Sequence, residues 1–231
     1  MSCILHIDTS TELCSVAVSE NGAVIYHDES TDEHAHSSRL SLMIESAISF
    51  TDNHAIPFDA VSVSSGPGSY TGLRIGVSAA KGVCFGRNLK LISIPTLELL
   101  CVPLLLGRIE LPDNALLCPM IDARRMEVYT NVYTRSLKSL ETTSAQVVTS
   151  ESFFDYLSSH PVYFFGNGSS KCKELLTHPN AHFLDGIRPH AKYMCPLAEK
   201  KHVKGEFSDV AYFEPFYLKD FIAGKPKTKK L

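Results

Sequence analysis

The 231-residue chain has no excess of charge of either sign: 22 Lys and Arg stand against 25 Asp and Glu, a formal charge of −3. No protein-wide basic field is therefore present to grip nucleic acid, so any such contact must be local or shared with a partner. Paired cysteines are missing as well. Cys3, Cys14, Cys84, Cys101, Cys118, Cys172 and Cys195 are odd in number, scattered, and form no CxxC. That argues against a disulfide framework and for a reducing, cytoplasmic setting. The longest apolar run, 92–106, is too short to span a bilayer and is broken by Pro95, Glu98 and Pro103. The first residues read as a strand and lack the basic-then-apolar layout of a secretory signal. There is no GxSxG elbow, no P-loop lysine, and no Ser, Cys or Thr beside an obvious base. What remains is ordinary globular composition, 44% hydrophobic and 20% charged, which excludes a disordered or fibrous chain.

The pattern that is present alternates strands and helices. Cys3-Ile-Leu-His-Ile-Asp8 reads as a buried strand ending in an acid, Cys14–Val18 alternates as a second, and Asn21-Gly22 is a hairpin turn leading to Ala23–Tyr26. Leu40, Met43, Ile44, Ala47 and Ile48 fall on one face of a helix. Val61–Val63 is a further strand, a Gly-Pro-Gly turn follows, and a helix is predicted over 71–86. The next strand is 89–94, with a helical segment from Leu97 to Pro103. The second half repeats this loosely. Leu116–Asp122 again ends a strand on Ile-Asp, Glu127–Tyr133 follows as a strand, and helices are predicted over 151–159 and 169–177. Between them Val162–Phe165 enters Gly166-Asn-Gly168 as Val63 enters Gly66-Pro-Gly68. Such a duplication implies two similar α/β lobes and suggests the actin-like architecture. The junction falls near Pro112–Asn114, which divides the chain into lobes 1–108 and 109–224. A basic tail, 225–231, is expected to be disordered.

Ser64-Ser-Gly-Pro-Gly-Ser-Tyr-Thr-Gly-Leu-Arg74 is the most informative stretch. A glycine-rich turn opening a helix can hold a phosphate, or can simply bring strand and helix close together. The helix after it carries small residues at Gly72, Gly76 and Ala80, with Ser78, Gly82 and Gly86 on a second stripe. Each interior glycine costs about 1 kcal/mol relative to alanine, so another backbone must approach closely, from within the domain or from a partner. Asp8 and Asp122 each close a strand and could together hold a hydrated magnesium, or could cap turns. Asp122 precedes Ala123-Arg124-Arg125, bulky and charged where a nucleotide enzyme needs small residues. A small-molecule kinase or ATPase using Asp8, Asp122, Gly166 and Gly168 is the rival enzymatic reading; without turnover, Asp8, Thr9, Asp122, Gly166 and Gly168 make a vestigial nucleotide site. His34-x-His36 lacks a third ligand nearby and reads as surface histidine.

Taken together, the GPGSYTGLRIG run followed by AAKG, Asp122-Ala-Arg-Arg125 with Glu127-Val-Tyr129, Gly166-Asn-Gly168 and Glu214-Pro-Phe-Tyr-Leu218 closely resemble the TsaB family. Tyr70 stands where that family often has Phe, and the likeness spans nearly the whole chain. The resemblance implies an actin-like (ASKHA, ribonuclease H-like) duplicated two-lobed α/β fold. It also implies a non-catalytic subunit that binds and activates TsaD, the paralogue that transfers threonylcarbamoyl from its adenylate to the adenosine next to the anticodon. The tRNAs concerned read codons beginning with A. TsaE, an ATPase, and tRNA would join through the complex, no membrane is involved, and a homodimer is a known alternative. No cofactor of its own is implied, since ATP and a metal ion serve the assembly, the ion being held by TsaD in an HxxxH motif. Here Thr96 and Leu100 stand at the two histidine positions, with Glu98 between them; leucine cannot bind a metal and threonine binds one poorly. The family pairs with TsaD through its two early helices. The expected interface is therefore Arg39, Leu40, Met43, Ile44, Ala47 and Ile48 with Gly72, Leu73, Gly76, Val77 and Ala80.

Overall fold

The computed structural model describes residues 2–32 and 34–219; the expected tail, 225–231, lies outside the described residues. β1 (Cys3–Asp8), β2 (Cys14–Glu20) and β3 (Ala23–Ser30) form an antiparallel meander. Asn21 and Gly22 take φ of 50° and 79°, as a two-residue hairpin of matching twist requires. The chain then runs through α1 (Ala35–Ser38), α2 (Leu40–Asn53), β4 (Ala60–Gly66), α3 (Tyr70–Arg87) and β5 (Lys90–Pro95). β4 and β5 add in parallel beside β1, giving the order β3-β2-β1-β4-β5.

After α4 (Thr96–Pro103) the plan repeats. β6 (Leu116–Asp122), β7 (Glu127–Thr130), β8 (Tyr133–Thr134), β9 (Ser144–Val147), α5 (Phe154–Leu157), β10 (Val162–Phe165) and β11 (Ala181–Leu184) build a second sheet. Its order, read from the far end, is β9-β7-β6-β10-β11, with β8 paired to β6. The antiparallel meander beside parallel strands matches the first sheet strand for strand. This is the duplicated actin-like fold.

Hydrophobic burial explains the layers. β1 is buried on both faces. Leu5 and Ile7 face α2 and α3, while Ile4 faces α4 and α6 (Cys195–Lys204). The polar His6 is tolerated in this core because its ring nitrogens meet Ser62 Oγ at 2.6 Å and Ser19 Oγ at 2.7 Å. Burial lowers its pKa to about 3, so it is neutral. α4 lies between the sheets: Leu99 and Val102 pack toward the first, Leu97, Leu100 and Cys101 toward the second. No helix among the described residues is long and apolar enough to cross a membrane.

The structure departs from the pattern in two places. The helices predicted over 151–159 and 169–177 shrink to α5 and to a single 3-10 turn at Ser170–Cys172. Phe153 adopts φ 64° with its ring 5.3 Å from that of Phe164, so core packing delays the start of α5. The expected boundary at 109–224 also needs correction. From Ala191 onward the chain returns to the first lobe: Met194, Leu197 and Ala198 join Ile4, Ala60, Ile92 and Ile94 in one core. A final strap continues there, with Ser208 N donating to Leu91 O (2.8 Å) and Phe216 N to Ser65 O (2.7 Å).

Candidate partner surface and inter-lobe residues

The first acid is not available to a ligand. Asp8 has no exposed surface. Its Oδ1 accepts from Ser10 N (3.2 Å) and Ser10 Oγ (2.8 Å), and Oδ2 is buried without a hydrogen-bond partner among the described residues. Burial pushes its pKa above the usual carboxylate range, against hydrogen bonds from Ser64 and Ser10 and the nearby His36. Thr9 is equally committed, its hydroxyl donating to Gly72 O at 2.7 Å. A methyl group added at Gly72 or Gly76 would overlap Thr9 itself. The glycines therefore seat α3 directly on the turn after β1, where a nucleotide enzyme would leave room for phosphate.

The second acid is neutralised instead of buried. Asp122 Oδ1 accepts from Arg124 N at 2.9 Å and pairs with Lys171, whose ammonium also donates to Arg125 O (2.6 Å) and Glu127 O (2.7 Å). Gly168 N donates to Met120 O at 3.0 Å and Gly166 O accepts from Ser169 Oγ at 2.8 Å, so this turn is stitched to the neighbouring β6 and to the residue that follows it. Asn167 accepts from Asp122 N (3.0 Å) and donates to Glu12 Oε2 (3.3 Å) across the lobes. The structure thus does not assemble Asp8, Thr9, Asp122, Gly166 and Gly168 into an open cradle. Lys171 and Asn167 were not singled out from the sequence; the lysine three residues past Gly168 was the available signal.

Thr96 and Leu100 are fully buried in α4. Leu100 sits among Leu97, Leu117, Ile121 and Phe165, hydrocarbon joining the lobes.

The expected interface requires the largest correction. Leu40, Met43, Ile44 and Ala47 on α2, with Val77 and Ala80 on α3, form the core under the first sheet, and Ile48 packs against it. Gly72, Leu73 and Gly76 are buried too. The amphipathic periodicity marked these helices' inward faces, because an apolar stripe looks alike whether it meets its own sheet or a stranger. Arg39 is exposed and lies 3.8 Å from Asp32.

The outward faces carry a different set. On α2 these include Leu42, 55% exposed, with Glu45, Ser46 and Ser49; on α3 they are Arg74, Ser78, Gly82, Phe85 and Gly86. Phe85 is 87% exposed, and among the described residues nothing lies within 4 Å of where a Cβ on Gly82 or Gly86 would stand. Arg87 binds Asp52 through two hydrogen bonds (3.1 and 2.8 Å), tying the C-terminal ends of both helices together. At the other end of α3, the Tyr70 ring packs at a tilt of 39° against Tyr217 of the strap, centroids 4.7 Å apart, with Arg74 over the Tyr70 ring at 5.5 Å. Sequence reasoning assigned Gly72, Gly76 and Ala80 to a partner, but these are buried in the chain's own core, and the Ser78, Gly82, Gly86 stripe is the exposed one.

Comparison with known proteins fits this architecture. Residues 29–226 match the family model described as TsaD: tRNA N6-adenosine threonylcarbamoyltransferase. The Escherichia coli tRNA threonylcarbamoyladenosine biosynthesis protein TsaB is 30% identical, with 96% of each chain covered. Its Haemophilus influenzae counterpart is 29% identical over 96% of this chain and 95% of its own. The solved structure of YeaZ from Pseudomonas aeruginosa superposes with a TM-score of 0.80 at 24% identity, covering 94% of this chain and 100% of that one. Two lobes of matching strand order, and a likeness that runs end to end, place the chain in the TsaB family of tRNA threonylcarbamoyladenosine biosynthesis proteins.

Proposed function

We propose that this chain is a non-catalytic subunit that binds and activates TsaD for threonylcarbamoyl transfer to the adenosine next to the anticodon. The docking surface is the outer face of α2 and α3. One observation carries the proposal: α3 leaves Gly82 and Gly86 facing open space beside a Phe85 that is 87% exposed. Among the described residues nothing compensates for these glycines, each costing about 1 kcal/mol in helix stability. An opposed helix does, because a missing side chain lets the two axes approach closely. A large exposed aromatic at the centre of such a contact is a typical anchor.

The absence of chemistry from this chain is supported by the burial of Asp8, the neutralisation of Asp122 by Lys171, and the hydrocarbon at Leu100. In this reading tRNA and the ATPase TsaE are reached through the complex. ATP and the metal ion belong to the assembly, with TsaD holding the ion. A homodimer using the same face would compete with TsaD.

The test is size-exclusion co-elution with TsaD. Phe85→Asp and Gly82→Leu should each abolish the shared peak while leaving the melting temperature of the isolated chain within a few degrees of the parent. Co-elution that survives both substitutions sinks the surface. Reconstitution with TsaD, TsaE, tRNA, threonine, bicarbonate, ATP and the carbamoyl-adenylate synthase tests activation. Omitting this chain should reduce the modified nucleoside at least tenfold, and an unchanged yield removes the reading.

A further inference from the structure

An open cavity of about 420 Å³ lies between the lobes. Pro95, Leu97 and Glu98 line it from the start of α4, Tyr133 and Glu141 from the second lobe, and Phe216 from the C-terminal strap. Most polar groups around it are already satisfied. Asn131 Nδ2 donates to Ser139 Oγ (2.9 Å) and Thr143 Oγ1 (3.1 Å), and the Tyr156 hydroxyl takes up Glu141.

Glu98 is the exception. It is half-buried, and among the described residues its carboxylate makes no hydrogen bond or ion pair. Burial raises its pKa against the attraction of Lys201 and Lys200. The Lys201 ammonium is engaged elsewhere, donating to Ser93 O at 2.7 Å. Beside Glu98, between two residues that line the cavity, the fully buried Thr96 hydroxyl also lacks a partner. A half-buried carboxylate on an apolar lining suits a donor that brings positive charge. A divalent metal ion does not suit, because it would want about six oxygen ligands and finds proline, leucine and aromatic rings instead. An ammonium on a hydrocarbon stem suits both halves of the lining, and ring faces favour a cation.

We propose that this cavity binds a primary ammonium group on an alkyl stem, with the charge on Glu98 and the stem against Leu97 and Phe216. The site does not depend on TsaD docking, which the outer faces of α2 and α3 carry. Two sources offer that chemistry: a free alkylamine, or a lysine of this chain's own Lys225-Pro-Lys-Thr-Lys-Lys230. The described chain passes the cavity at Phe216 and reaches Lys219 beside Glu127. Six further residues reach at most about 20 Å, enough to bring Lys225 back.

The probe is n-butylamine hydrochloride, titrated into the full chain and followed by backbone amide NMR. Saturable shifts are expected at Glu98, Tyr133 and Phe216 that sodium chloride at equal concentration does not reproduce. Glu98→Gln should weaken the binding at least tenfold. The same titration is run on a full-length variant carrying Lys225→Gln, Lys227→Gln, Lys229→Gln and Lys230→Gln. Binding at least tenfold tighter in that variant identifies a tail lysine as the resident group; binding no tighter identifies a free amine. No saturable shift in either form, or an affinity that Glu98→Gln leaves unchanged, overturns the site.

Discussion

At Asp8, burial and hydrogen bonding pull in opposite directions, and burial wins. The side chain is fully enclosed and only one of its oxygens is used, so the folded protein holds the carboxyl proton more tightly than the unfolded chain does. With the folded pKa raised, stability from this group is fully present below the unfolded value of about 4 and is lost as pH rises through the folded one. Asn at this position keeps an oxygen for Ser10 and removes the ionisation. Asp8→Asn should therefore flatten the fall in melting temperature as pH rises above the unfolded value of about 4, and raise the melting temperature at the alkaline end of that rise. Parallel curves would show that the buried carboxyl carries no such cost. The sequence revealed an acid closing a strand; its enclosure depends on α3 lying over the turn, which no local pattern encodes.

At the scale of elements, α3 carries glycines on two faces for two reasons, and substitution separates them. Gly76 faces Thr9, where an added methyl group has no room; Gly82 faces open space. Gly76→Ala should destabilise the chain by roughly 1–3 kcal/mol through overpacking. Gly82→Ala should stabilise the isolated chain by about 0.5–1 kcal/mol through helix propensity alone. Urea denaturation of both variants checks this, and equal shifts of one sign would undo the division into inner and outer stripes. The same helix defines how far the sequence can be read. Its span, the Asn21-Gly22 hairpin and the strand-ending acids follow from local chemistry, and the fold agrees with them. The direction each apolar stripe faces does not, because Leu40, Met43 and Ile44 would repeat at the same spacing against any neighbour. In the second lobe the helices at 151–159 and 169–177 failed for a related reason: packing of the Phe153 ring, and of Lys171 against Asp122, overrode weak propensity.

For the molecule as a whole, what joins the lobes is largely hydrocarbon. Polar ties exist, in Asn167 to Glu12 and Lys219 to Glu127, but they are exposed and worth little. The apolar cluster around α4 is larger: Leu97, Leu100, Cys101 and Leu104 meet Leu117, Ile121, Tyr133 and Phe165 of the second lobe with almost no exposed surface. α4 also packs Leu99 and Val102 into the first lobe, so one helix belongs to both cores. Leu100 thus has a structural task at the very position where the catalytic paralogue is implied to place a metal-binding histidine. Leu100→His should not restore metal binding, because its neighbours are hydrocarbon and Thr96 is a poor ligand. It should instead bury an imidazole with no hydrogen-bond partner, and Leu100→Ala should leave a cavity costing about 2–5 kcal/mol. Because α4 couples the two sheets, the loss should lower the melting transition of both lobes together. Unfolding followed at Tyr26 in the first lobe and Phe164 in the second would then give coincident curves at a lower midpoint. If instead the second lobe melted separately while the first kept its parent midpoint, the polar ties would be holding the lobes and the shared apolar core would not.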